Sequence, residues 1–166
     1  MTSVLFQGTP SFLLEALPQA LQQAGITMTD ALPASLLINL TTAPAQAIDA
    51  ATTFAAAVPP GEEGLVINLL PTHAPDDWQG ASAAATIWAF TRYAARAWAP
   101  RQIRVNALSF GACPNLPGQP RESAGHAASG TPAIAATQAD VAATVLAFWR
   151  LRSMTGQMIK LGSAAS

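Results

Sequence analysis

Apolar residues in this chain fall into short continuous runs, separated by longer stretches with helical spacing. Ser3-Val-Leu-Phe-Gln-Gly8 predicts a buried strand that ends in a turn at Gly8. Ser11 can cap a helix over 11–25, where Gly25 stops it and Pro18 should kink or split it. Residues 26–30 alternate weakly and predict a short strand, and Leu36–Leu40 predict a better one. Residues 45–58 have helical composition and end at Pro59-Pro60-Gly61. Gly64–Leu70 is the clearest buried strand, followed by an acidic, Pro-containing loop over 71–79. The longest helix runs over 81–98, closed by Pro100, and leads to a strand over 102–110. Residues 113–132 are rich in Pro, Gly and Ser and predict a mobile loop. Thr137 or Gln138 opens a helix over 138–153, with Asp140 suited to the positive end of its dipole. Residues 156–162 predict the last strand.

Strand and helix alternate throughout, and the strands are continuous apolar runs. That combination predicts one α/β domain over residues 1–166, with a mostly parallel sheet of about five or six strands covered by helices on both faces. No internal repeat interrupts the order.

Composition adds three constraints. Only 10% of residues are charged and 51% are apolar, including 37 Ala. So apolar a surface implies a patch that another subunit covers. The formal net charge is −1, which gives no overall field to attract nucleic acid. Yet residues 1–91 hold seven acids and no Lys or Arg, while residues 92–166 hold all eight bases and two acids. This asymmetry fits two faces of one domain, or complementary faces of neighbouring subunits. The lone Cys113 excludes a disulfide framework within the chain. No leader segment and no membrane span is expected, which predicts a cytoplasmic protein. Seven Arg against one Lys and the Ala excess suggest a GC-rich bacterial genome.

Three local patterns then carry a family resemblance. They are Leu65-Val66-Ile67-Asn68, then Phe90-Thr91-Arg92 through Ile103-Arg104-Val105-Asn106-Ala107, and finally Asp140-Val141-Ala142 through Thr155-Gly156-Gln157-Met158-Ile159. In this order and spacing they resemble the second half of a short-chain dehydrogenase/reductase, well over residues 64–166 and weakly before. The resemblance implies a single Rossmann-like three-layer domain with a reduced sheet.

It also implies losses. The family's catalytic Tyr position falls on Gly80 and its Lys position on Ala84, neither of which can titrate. Its Ser falls near Pro71 or Thr72. Tyr93, the only tyrosine, lies more than three turns further along the helix. The family's Gly-rich phosphate turn is reduced here to Gly8-Thr9-Pro10-Ser11-Phe12-Leu13-Leu14, with Gly8 and Ser11 as its remnants. Only ten residues separate Gly25 from Leu36, where the family fits two strands and a helix. The expectation is therefore a truncated, degenerate member with no catalytic residues and no cofactor, neither NAD nor NADP.

In the family the long helix belongs to a subunit–subunit bundle. Ala85, Trp88, Arg92, Tyr93 and Arg96 are the candidate interface residues, because small residues permit close helix packing and aromatics and Arg anchor interfaces. The expected partner is a second copy or a homologous dehydrogenase subunit, and the expected role is that of a pseudoenzyme or scaffold. One alternative is a small-molecule or nucleotide sensor using a remodelled crevice. Another is an enzyme with relocated residues, for which His73, Asp76 and Asp77 are the candidates; a plain loop is the competing reading. No metal site is expected.

Overall fold

The computed structural model describes residues 2–8, 16–71, 76–110 and 136–162. The elements run β1 (Ser3–Gln7), α1 (Ala16–Gln23), β2 (Thr27–Met28), β3 (Leu36–Asn39), α2 (Pro44–Ala57), β4 (Gly64–Pro71), α3 (Trp78–Trp98), β5 (Ile103–Phe110), α4 (Gln138–Arg150) and β6 (Met158–Leu161). Six described strands form one sheet in the order β2-β1-β3-β4-β5-β6, and every pairing is parallel. This is the α/β architecture the alternation predicts.

Alternate residues of each strand serve opposite faces. Leu65, Ile67 and Leu69 of β4 join Leu17 and Leu21 of α1 and Val141, Val145 and Phe148 of α4 in one core. Val66 faces the other way, with Ala51, Phe54 and Ala55 of α2 and Ala94 and Ala95 of α3. The sheet is thus sandwiched between α1/α4 and α2/α3. Burying a side chain such as Phe148 or Phe54 contributes about 1.5–3 kcal/mol, before the entropy of ordering the chain.

Several boundaries differ from the sequence pattern for local reasons. The strand expected over 26–30 pairs only at Thr27–Met28, because Thr29 turns the chain through hydrogen bonds with Ala31. The long helix starts at Trp78 rather than residue 81: Asp77 caps it, accepting from the Gly80 amide at 2.9 Å. The helix expected to reach residue 153 stops at Arg150. Arg104 from β5 donates to the carbonyls of Phe148, Trp149 and Leu151 and ends it there. At its other end Thr137 and Asp140 form a reciprocal capping box. No split occurs at Pro18 within Ala16–Gln23. The proposed mobile loop 113–132 lies outside the described residues.

Candidate nucleotide crevice and helix surface

The chain leaves β1 toward β2 on one side and returns to β3 on the other, so the strand order reverses between β1 and β3. In open α/β sheets ligands bind outside the carboxyl ends of the strands at such a reversal. Here those ends are Gln7-Gly8 and Asn39-Leu40-Thr41. Gly8 has φ +104°, and a Cβ there would lie 3.0 Å from the Thr41 nitrogen and 3.1 Å from the Leu40 carbonyl carbon. The chain can therefore pass close over the end of β3 only because residue 8 lacks a side chain. Ser11, the other remnant of the turn, lies outside the described residues.

Beneath this end of the sheet sits a buried polar relay. Asn39 Nδ2 donates to the Ala47 carbonyl at 3.0 Å and to Asn68 Oδ1 at 3.2 Å. Asn68 Nδ2 donates to Thr91 Oγ1 at 2.9 Å, and Thr91 donates to the Ile87 carbonyl at 2.9 Å. Asn39 Oδ1 accepts from the Thr41 amide. All three side chains are buried, and the relay ties β3 and β4 to α2 and α3. The sequence reading used Asn68 and Thr91 only as family markers and missed the network. Its signal is the repeat Leu37-Ile38-Asn39 and Val66-Ile67-Asn68, which parallel pairing sets in register.

Gly80 and Ala84, the positions matched to the family's Tyr and Lys, lie in the first two turns of α3 and are half-buried. Asp76 and Asp77 are exposed at the start of that helix, and Asp77 is used as its cap. His73 lies outside the described residues. No group of His, Cys, Asp or Glu that could hold a metal is found among the described residues.

The candidate interface residues divide. Ala85, Arg92, Tyr93 and Arg96 lie exposed on the outer face of α3, and the last three line a groove of about 580 Å³ with Ala89 and Ala97. Trp88 instead packs inward against Ala47, Leu70, Ile87 and Ala107. Trp78, which the sequence reading passed over as loop, stands 70% exposed at the start of the helix.

A second buried polar cluster begins on the neighbouring strand, where Arg104 and Asn106 of β5 pair with Leu65 and Ile67 of β4. Arg104 is 8% exposed, and its guanidinium bonds only to main-chain carbonyls; burial pushes its pKa below the ordinary arginine value. Asn106 donates to the Met154 carbonyl and accepts from the Gln157 amide, fixing the turn before β6. Arg152 pairs with Glu63 and lies 5.3 Å from the centre of the Trp149 ring. These groups brace β5 against α4 and the turn before β6.

No protein-family model matches the chain, and no curated relative does. Solved structures do. FolM alternative dihydrofolate reductase 1 from Brucella canis, complexed with NADP, is 21% identical over 96% of this chain and 91% of its own, with a TM-score of 0.71. A short-chain dehydrogenase from Leptospira borgpetersenii with bound NAD+ is 16% identical over 96% and 90%, with a TM-score of 0.70. Enoyl-[acyl-carrier-protein] reductase (NADH) from Aquifex aeolicus is 13% identical over 96% and 93%, with a TM-score of 0.67.

These likenesses correct the expectation of no cofactor. Two of these neighbours hold NADP or NAD+. A missing run of glycines does not exclude nucleotide, because the crevice is made by the strand ends and the order reversal, both of which this chain retains. No described helix is long and apolar enough to cross a membrane. The fold of this chain is that of the short-chain dehydrogenase/reductases.

Proposed function

We propose that this protein is a nucleotide-accepting but non-catalytic relative of the short-chain dehydrogenases that works by association through α3, with a second copy or with a homologous dehydrogenase subunit. One observation carries the reading. The crevice keeps its strand ends and its close turn at Gly8, while the α3 positions matched to the proton-transferring pair are Gly80 and Ala84. A carbonyl reduction needs a group that gives up or takes a proton at the substrate oxygen, and neither residue can. NADP or NAD+ would lie against Gly8 and the Leu40–Thr41 backbone. Bound, it would supply hydride chemistry that these α3 positions leave without a proton partner. The asparagine relay beneath would hold β3 and β4 in place.

The test is binding and turnover on the same preparation. Equilibrium dialysis or thermal shift with NADP+, NADPH, NAD+ and NADH should show binding. Reduction of carbonyl or enoyl substrates by the bound nucleotide should stay at the uncatalysed rate. Turnover that survives purification would overturn the non-catalytic reading. Absence of binding for all four nucleotides would remove the nucleotide part.

A further inference from the structure

A pocket of about 250 Å³ opens at the amino ends of β4 and β5, whereas the crevice lies at carboxyl ends of strands. Glu63, Gln102, Arg104, Arg152 and Thr155 supply its polar lining. It is smaller than the roughly 300–1,000 Å³ of sites for drug-sized ligands, which suits a small ion. Arg104 sets its character. That side chain is 8% exposed, and among the described residues no carboxylate pairs with it. Its Nη atoms hold carbonyls at the end of α4, while its Nε is enclosed and has no hydrogen-bond partner. Buried charges in folded proteins are normally paired, and an enclosed donor without a partner points to an ion or water taken up nearby.

The charges around the pocket do not cancel. Arg152 is matched by Glu63, and both side chains are about half exposed. The end of α4 sets about half a negative charge against the full charge of Arg104. A positive remainder is left. The other polar groups are donors. Thr155 Oγ1 accepts from the Val105 amide at 3.1 Å, which leaves its hydroxyl proton to donate. Gln102 has φ 58° at the end of the short helical turn Ala99–Arg101, where Gly or Asn is the usual residue. Here a residue with an amide head lines the pocket instead. We infer that this pocket binds a small oxyanion of the phosphate class, with Arg152, Gln102 and Thr155 as donors over the buried positive floor of Arg104. Donors from three separate segments suit an anion with oxygens in several directions; a planar carboxylate is served by a single guanidinium fork. Glu63 competes with the anion for Arg152. This site lies apart from the crevice, so its failure leaves the proposed function untouched.

Titration of the full-length chain with inorganic phosphate at fixed ionic strength tests the inference. Tm should rise saturably. Backbone amide resonances of Gln102, Arg104 and Thr155 should shift, and those of Gly8 and Thr41 should not. Arg152→Gln should weaken binding about tenfold or more, as loss of a charged hydrogen bond does. Glu63→Gln should tighten it about 2–5-fold, because an exposed ion pair no longer competes. Gln102→Gly should weaken binding without lowering the Tm of the phosphate-free protein, since glycine accepts the left-handed conformation freely. Glycerol phosphate in place of inorganic phosphate identifies the source: tighter binding assigns a phosphomonoester, and equal or weaker binding assigns the free ion. Several results overturn the site. They are a Tm rise that sodium chloride reproduces, shifts confined to Gly8 and Thr41, an Arg152→Gln variant that binds as the parent does, or a Glu63→Gln variant that binds more weakly. Malonate binding more tightly than phosphate overturns phosphate as the ligand class.

Discussion

Two buried polar clusters brace neighbouring strands of this sheet, where Ile67 pairs with Asn106 and Asn68 with Ala107, and they differ in kind. Early in β5, Arg104 and Asn106 hold main-chain groups: the last carbonyls of α4 and the turn around Met154 and Gln157. At the last residue of β3 and the middle of β4, Asn39 bonds to Asn68, and Asn68 to Thr91 of α3. The first cluster contains a charge, and the negative end of a helix dipole offsets part of its desolvation. The second is neutral throughout and borders the crevice. A charge is tolerated where a helix terminus faces it, and a charge-free set of donors and acceptors ties β3 and β4 to α2 and α3. The β5 cluster anchors the main chain of neighbouring elements, and the β3–β4 cluster ties strands to helices through Asn39, Asn68 and Thr91, none of which titrates.

The largest expected effect falls on the charged cluster. Arg104→Leu removes the donors for three carbonyls and should destabilise the fold by about 3 kcal/mol in denaturant unfolding. A loss below about 1 kcal/mol would mean that water serves those carbonyls equally well. Asn68→Leu should cost about 2 kcal/mol, because it leaves Asn39 and Thr91 short of partners in a buried site. If Asn68→Leu proves more harmful than Arg104→Leu, the contrast between the two clusters is reversed. Gly8→Ala should cost about 1–2 kcal/mol, from its positive φ and the contact with Thr41, and should weaken nucleotide binding more than it lowers stability. Equal changes in both would show that Gly8 serves only the turn.

The smallest effect belongs to the α4 cap. Thr137→Ala should lower Tm by about 2–4 °C near neutral pH. The Thr137 hydroxyl and amide hydrogen bonds hold the Asp140 carboxyl below its ordinary pKa. Its contribution is thus present above the ordinary carboxylate range and lost as pH falls through the lowered folded value. The Tm difference between Thr137→Ala and the parent should narrow on acidification, and a gap constant with pH would show that Asp140 does not carry it.

Much of this was legible in the residues. Continuous apolar runs such as Leu65–Leu70 announced a parallel sheet with helices on both faces, since only strands buried on both sides lack alternation. Thr137-x-x-Asp140 and Pro59-Pro60-Gly61 marked helix limits by local chemistry alone. Edges decided by distant partners were not legible. Leu151 has no local reason to end a helix, and Arg104, far away in sequence, supplies one. Trp78 looked like loop because the acidic, Pro-containing run before it masked the cap that Asp77 forms. Trp88 and Tyr93 resembled one another in sequence, yet they point to opposite environments.

The sequence by itself determined the order of strands and helices, the absence of titratable groups at Gly80 and Ala84, and the uneven spread of charge. These follow from residue type and spacing, which need no third dimension. Only the tertiary structure decided that Asn39 meets Asn68, that Arg104 ends α4, and that Trp88 packs inward while Tyr93 stays exposed. Strand register and helix phase over several turns accumulate from many small steps, so contacts that depend on them form only when the whole sheet and the whole helix are in place.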